Sequence, residues 1–142
     1  MLEVIVDGTP RSLQAKSQGK ELWKTKVRTC AEQQISSDSR LDFTDVTVWI
    51  VHYCFNWKST SGDLDNIAKP ILDGISTVAF FDDNQIQQLH MRRTDLAKNK
   101  VTIVEGASAL LAERLQRAYT DDADPGFVYI AVTDAIDHER LS

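Results

Sequence analysis

Cysteine and long apolar runs are scarce in this chain, and each shortage excludes a class of protein. The two cysteines, Cys30 and Cys54, form no metal-ligand spacing and no disulfide framework, so both are interpreted as buried free thiols. No apolar run approaches the roughly 20 residues that a membrane helix needs. The first residues carry acids where a signal peptide carries positive charge, so we expect a cytoplasmic protein without a membrane partner.

Glycine is also scarce, with six residues among 142, and no glycine-rich phosphate loop is present. The chain contains no repeat, no low-complexity segment and no linker. A chain of this length buries roughly two-thirds of its unfolded surface, which is enough for a substantial core. We therefore interpret residues 1–142 as a single domain, with residues 134–142 as a candidate disordered tail.

The net charge of −5 argues mildly against a phosphate-rich partner, but the charge is unevenly distributed. Residues 1–30 hold six basic side chains against three acids, whereas residues 118–142 hold six acids against one arginine. Nucleic-acid binding depends on where positive charge lies. The candidates for phosphate contacts are Lys16, Lys20, Lys24, Arg28, Arg92 and Arg93.

Two of these assignments have open alternatives. The stripe formed by Lys20, Lys24 and Arg28 fits a solvated helix face equally well. Arg92 and Arg93 are neighbours on a predicted strand and must point to opposite faces, so we expect at most one of them to face DNA.

The apolar pattern predicts strands at 2–6, 45–55, 85–93, 101–104 and 127–132, and helices at 19–35, 63–76 and 106–119. This order indicates an α/β (α+β) fold, with a small mixed β-sheet packed by about three helices. The strand at 45–55 is too apolar for a sheet edge and is expected in the centre. The side chains predicted to face the core include Leu22, Trp23 and Val27 in the first helix and Leu110, Leu111 and Leu115 in the last.

The densest chemistry lies in residues 63–83, which hold five aspartates and one lysine: Asp63, Asp65, Asp73, Asp82, Asp83 and Lys69. Two carboxylates about 4 Å apart repel by roughly 4 kcal/mol at a protein-like dielectric, so such a cluster needs a cation. Oxygen ligands alone suit Mg²⁺ or Mn²⁺ and do not suit zinc. The apolar residues expected to pack around the acids are Leu64, Ile67, Ile71, Leu72, Ile75, Val78, Phe80 and Phe81.

Asp63 is expected to cap a helix on which Asp65, Lys69 and Asp73 share one face. Pro70 falls inside this helix, where it removes one backbone hydrogen bond. Structural explanations remain open for each part. Asp63 and Asp65 alone fit a helix-cap pair, and Asp82-Asp83 alone fits a hairpin turn. Lys69 alone fits an ion-pair partner of Asp65 and Asp73, each four residues away.

The combined pattern resembles the RusA-like Holliday junction resolvases. The residues that carry the resemblance are Asp63-Leu64-Asp65-Asn66, Lys69 and Asp73, followed by Asp82-Asp83-Asn84-Gln85. The resemblance implies that Asp63, Asp65 and Asp83 bind Mg²⁺, with Mn²⁺ as a substitute, and that Lys69 is the essential cation. Asp82 is a further candidate ligand. It also implies a homodimer that resolves four-way DNA junctions by paired nicks in recombination and repair, in a family often carried by prophages.

The chain differs from this family pattern in its acidic net charge, in a first loop without dense proline and arginine, and in an acidic extension past Thr133. Two alternative functions stay open. One is a non-catalytic DNA-structure or partner-binding protein that retains the fold, and the other is a nuclease on other branched DNA such as flaps. Trp57 is a candidate either for base stacking or for packing within the protein. Asp73 is a candidate either for a metal ligand or for a residue that contacts a metal ligand.

Overall fold

The predicted apolar pattern produces a four-stranded sheet and three α-helices in the part of the chain that the structure describes. The computed structural model describes residues 1–10, 17–55, 64–98 and 108–135. The elements are β1 (Leu2–Asp7), α1 (Ser17–Gln34), β2 (Val46–Cys54), α2 (Leu64–Ile75), β3 (Ile86–Asp95), α3 (Ala109–Thr120) and β4 (Phe127–Asp134). The predicted α+β class is confirmed, while the strand predicted at 101–104 lies outside the described residues.

The strand order in the sheet is β1-β4-β2-β3. β4 pairs antiparallel with both β1 and β2, and β2 pairs parallel with β3, so the sheet is mixed. A parallel pair needs a long crossover connection, and α2 lies in the connection between β2 and β3. The central position predicted for β2 is confirmed. This arrangement places the charged helix α2 next to the strand that follows the second acidic pair.

The sheet separates two apolar cores. One face packs against α1 and α2, through buried side chains such as Val27, Ile71 and Ile130. The opposite face packs against α3, where Leu115 contacts a cluster that includes Tyr129. β4 contributes to both cores, which explains why its apolar run is uninterrupted.

Two leucines predicted to face the core are exposed instead. Leu22 is 66% exposed and Leu110 is 40% exposed. In α1 the buried contact line is formed by Trp23, Val27 and Ala31, which recur every four residues. Leu22 lies one residue before this line, a rotation of about 100° around the helix, and therefore points away from the sheet.

Gly74 allows α1 and α2 to approach each other closely. A Cβ atom on residue 74 would lie 2.6 Å from Cγ1 of Val27 and 3.2 Å from the carbonyl oxygen of Lys24. The first distance is shorter than real Cβ contacts allow, and the second involves backbone that cannot rotate away. The glycine therefore sets the depth at which α2 packs, and with it the position of the charged face of α2.

We predict that Gly74→Ala lowers the free energy of unfolding by about 1–2 kcal/mol, because overpacking outweighs the gain in helix propensity. Gly19→Ala is the matched control in α1, since nothing lies within 4 Å of a Cβ there. It should stabilise the protein by up to about 1 kcal/mol. Urea unfolding followed by circular dichroism measures both. Equal stabilisation by the two variants would contradict the packing role of Gly74.

Candidate active site

One face of α2 carries the predicted charged residues, and the opposite face is buried. Asp65 in the first turn and Lys69 are exposed, and Asp73 is half-buried. Ile67 and Ile71 belong to the buried face. Because residues four apart share a face, the helix presents two carboxylates and one ammonium group on the solvent side of an apolar anchor.

Lys69 joins this face to the second acidic segment. Its Nζ lies 2.9 Å from Oδ1 of Asp73 and 3.8 Å from Oδ2 of Asp83. The hydrogen bond to Asp73 and the charge of that carboxylate raise the pKa of Lys69 above its ordinary value, and Asp83 adds to the rise. The lysine therefore remains a cation between two carboxylates, and the predicted ion pair with Asp73 is confirmed.

Residues 82–84, here called the acidic turn, lie in the connection between α2 and β3. Asp82 caps a short 3-10 helix at Asp83–Gln85, and its carboxylate accepts a hydrogen bond of 3.1 Å from the backbone N–H of Asn84. The hairpin turn left open for this acidic pair is not formed, because the pair lies between a helix and a strand that pairs parallel with β2. Asp82 and Asp83 are both exposed, so their carboxylates face solvent. Their backbone is held by the capping hydrogen bonds.

The buried side chain of Gln85 anchors the acidic turn. Its Oε1 accepts hydrogen bonds of 2.8 Å from the backbone N–H groups of Phe81 and Asp82. Its Nε2 donates to the carbonyl oxygens of Leu41, at 2.7 Å, and Thr44, at 2.9 Å. One amide group thus holds the acidic turn to the loop at residues 41–45, which precedes β2.

Two arginines hold the C-terminal end of α2. Arg28 of α1 donates to the carbonyl oxygen of Asp73 at 2.9 Å and to Oγ1 of Thr77 at 3.1 Å. Arg40 donates to the carbonyl oxygen of Thr77 at 3.1 Å. Carbonyl groups in the last turn of a helix have no partner within the helix, and cations are favoured at this negative end of the helix dipole. The phosphate-binding role of Arg28 stays a prediction beside this structural one.

The other predicted DNA-binding residues occupy different surfaces. Lys20 and Lys24 are partly exposed on α1, and Lys24 lies 3.5 Å from the carboxylate of Glu21. The register pairs Val51 with Arg92 and His52 with Arg93. Since Val51 packs on the α3 side, Arg92 lies on the opposite face of the sheet from α2.

Three residues singled out from the sequence lie outside the described residues: the metal-ligand candidate Asp63, the phosphate-contact candidate Lys16 and the stacking candidate Trp57. Among the described residues, no group of three or more histidine, cysteine or acidic side chains is arranged to hold a metal ion. The exposed carboxylates of Asp65 and Asp83 nevertheless fit a hard cation, because Mg²⁺ keeps several waters and binds through one or two carboxylates.

The family model described as endodeoxyribonuclease RusA matches residues 10–104, a segment that contains α2, the acidic turn and β3. The chain belongs to the RusA endodeoxyribonuclease family. Among curated proteins, no sequence matches this RusA-family chain. Endodeoxyribonucleases hydrolyse phosphodiester bonds within DNA strands, and the resemblance inferred from the sequence is confirmed.

Within the described residues, no helix is long and apolar enough to cross a bilayer.

Two features of the RusA-family site were not predicted from the sequence. The first is the anchoring role of Gln85. The signal for it is an Asp followed three residues later by Gln, the pattern of a capping box, which Asp82 and Gln85 form. Phe81 was expected to pack around the acids but is 60% exposed, whereas its neighbour Phe80 is fully buried. Phe80 forms β-bridges with Leu41 and Ser76. Side chains of successive residues in such paired backbone point to opposite sides, so only one of the two rings enters the core.

We predict that Gln85→Leu lowers the free energy of unfolding by about 2–4 kcal/mol, because four backbone groups lose their hydrogen-bond partner. Gln33→Leu is the matched control, since Gln33 is an exposed glutamine on α1. Its effect should stay within about 0.5 kcal/mol. Chemical denaturation measures both, and similar losses in the two variants would show that the amide does not anchor the turn.

A second prediction concerns His52, which is buried beside Arg93. Nε of Arg93 donates to Nδ1 of His52 at 3.2 Å. Burial, reinforced by the charge of Arg93, lowers the pKa of His52 from 6.5 to about 4. The fold therefore favours the neutral ring. Stability from this site is fully present above pH 6.5 and is lost as the pH falls toward 4, by about 3 kcal/mol in total.

The measurement is the difference in unfolding free energy between the wild type and His52→Gln, taken at several pH values between 7 and 4. Glutamine keeps a hydrogen-bond acceptor for Arg93 but does not titrate. The difference should shift by about 3 kcal/mol in favour of the variant as the pH falls. Parallel stability curves for the two proteins would exclude a neutral buried His52.

Proposed function

We propose that this protein is a Mg²⁺-dependent endonuclease that resolves four-way DNA junctions by paired nicks. The observation that carries the proposal is the position of Lys69 between Asp73 and Asp83 in a chain of the RusA family. This contact brings together the two acidic segments of the family motif. On the same family membership we also propose a role in DNA recombination and repair, in the cytoplasm and in a prophage setting.

Asp63, Asp65 and Asp83, with Asp82 as a further candidate, are proposed to hold the divalent cation. Such an ion, when bound, polarises a phosphodiester and lowers the pKa of a water molecule for in-line attack. The carboxylate of Asp82 already accepts a hydrogen bond from Asn84, so Asp83 is the stronger candidate within the acidic turn. Mn²⁺ is expected to substitute for Mg²⁺, because it accepts the same oxygen ligands.

Lys69 is proposed to stabilise the negative charge that develops on the phosphate oxygens during cleavage. Its ammonium group is already fixed in position, since Asp73 holds it at 2.9 Å. A fixed cation needs no reorganisation as the charge develops, which is the source of electrostatic stabilisation at enzyme sites. Asp73 would thus act on the reaction by positioning Lys69.

DNA is proposed to lie along α1 and across the charged face of α2. Arg28 of α1 donates to Asp73 of α2. Lys20 and Lys24 precede Arg28 by eight and four residues on α1, a spacing that favours one shared face for the three cations. They would neutralise phosphates and make binding weaken as salt rises. Two symmetric cuts across a branch point need two sites related by a two-fold axis, which is the reason for proposing a homodimer.

We predict that the purified protein nicks a synthetic four-way junction in Mg²⁺ or Mn²⁺, and that chelation stops the reaction. Asp65→Asn and Asp83→Asn should each reduce the cleavage rate about a hundredfold or more, because they remove carboxylates that would bind the cation. Asp122→Asn is the matched control, since Asp122 is an exposed aspartate in the turn after α3. Denaturing gels measure nicking, and mobility shifts in Ca²⁺ measure binding.

Flap and linear duplex substrates in the same assay define the substrate class. Preferential cutting of flaps would replace junction resolution with cleavage of other branched DNA. Junction binding without cleavage in either metal would exclude the catalytic proposal and favour a DNA-structure-binding protein. Full activity in both asparagine variants would exclude the proposed ligands.

A further inference from the structure

Two phenylalanine side chains beside the acidic turn are exposed to solvent. Phe43 is fully exposed and Phe81 is 60% exposed. Phe80, which precedes Phe81, is fully buried, so the core in this region is already filled by another phenylalanine. Within the described residues, neither exposed ring contributes to the apolar cores on the two faces of the sheet.

Gln85 brings these two phenylalanines to the same part of the surface. Phe43 lies between Leu41 and Thr44, whose carbonyl oxygens both accept hydrogen bonds from Nε2 of Gln85. The backbone N–H of Phe81 donates to Oε1 of the same amide. Asp83 follows Phe81 by two residues and is close to Lys69. Both rings are therefore attached to backbone that is fixed relative to the proposed cleavage site.

Arg40 lies over one of the rings. Its guanidinium carbon is 5.6 Å from the centroid of Phe81. Asp42 and the carbonyl oxygen of Thr77 hold this guanidinium group through hydrogen bonds. A cation at this distance is attracted by the face of an aromatic ring, so Arg40 restrains the orientation of Phe81. The ring is held in place although more than half of it is exposed.

The charge around the two rings disfavours contact with phosphates. Residues 41–45 and 81–85 include four aspartates and no basic residue. A DNA backbone that approaches these segments meets four carboxylates, and the two nearby cations are already paired, Arg40 with Asp42 and Lys69 with Asp73. Phosphate contacts therefore contribute little to binding there. Stacking of a base on an aromatic ring does not depend on phosphate charge and is available to every base.

We propose that Phe43 and Phe81 form a stacking platform for unstacked bases of the branched DNA next to the cut. This inference rests on the proposed function, because it requires DNA to pass over the acidic turn. Bases at a branch point lose stacking partners, and an exposed aromatic ring replaces such a partner. The platform would favour branched over linear DNA, whose bases remain stacked within the duplex.

The test compares the wild type with the double variant Phe43→Ala/Phe81→Ala in Ca²⁺, which replaces Mg²⁺ during binding measurements. The double variant should bind a four-way junction about fivefold to a hundredfold more weakly for each stacked base that is lost. Its affinity for linear duplex should stay unchanged. Leu110→Ala is the matched control, because it removes an apolar side chain that is 40% exposed on α3, across the sheet from α2.

A second set of junctions, with abasic sites at the branch point, separates base contacts from other effects. The wild type should bind abasic junctions more weakly than intact ones, whereas the double variant should not distinguish them. Circular dichroism and urea unfolding establish that the double variant is folded. Phe81→Trp should retain junction affinity, since a larger aromatic ring still offers a stacking surface.

Three results would overturn the platform. The first is equal loss of affinity from abasic sites in the wild type and the double variant, and the second is junction affinity unchanged by the double substitution. The third is dissociation of a dimer by the double substitution in sedimentation experiments, which would make this surface a contact between copies of the chain. A wild type that neither binds nor cuts junctions would instead overturn the proposed function and the platform together.

Discussion

The candidate site depends on the hydrogen bonds of one side-chain amide. Gln85 provides two donors and one acceptor, and it joins the acidic turn to carbonyl groups 41 and 44 residues earlier in the chain. A turn that carries adjacent carboxylates is electrostatically unfavourable unless its backbone is held by other contacts. The amide is neutral, so it fixes the backbone without neutralising the acids. Their negative charge remains available for a cation.

The opposing element, α2, is fixed by different interactions. Gly74 lets the helix pack closely on Val27, and Arg28 and Arg40 hold its C-terminal end. Its buried isoleucines anchor one face and leave Lys69 on the other. Two elements that are each fixed to the core can maintain a contact between their exposed side chains at low entropic cost. This explains how a half-exposed lysine is positioned without being buried.

The sequence predicted features that depend on local spacing and missed those that depend on distant backbone. The four-residue spacing of Asp65, Lys69 and Asp73 predicted a shared helix face, and the ion pair between Lys69 and Asp73 confirms it. The partners of Gln85 are carbonyl groups, which every residue possesses, so no side-chain pattern reveals them. Phe81 was expected to be buried because hydrophobicity alone does not distinguish it from Phe80.

The arrangement of charge also explains how an acidic protein of this family is suited to DNA. A net charge of −5 opposes nonspecific attraction to phosphates, so binding has to be divided among separate surfaces. Arg28 is already occupied at the end of α2, which leaves fewer cations for phosphate contacts along α1. A cation held by carboxylates and aromatic stacking would then supply part of the attraction. Both would act only where the DNA reaches the site, and such binding discriminates structure better than a broadly basic surface does.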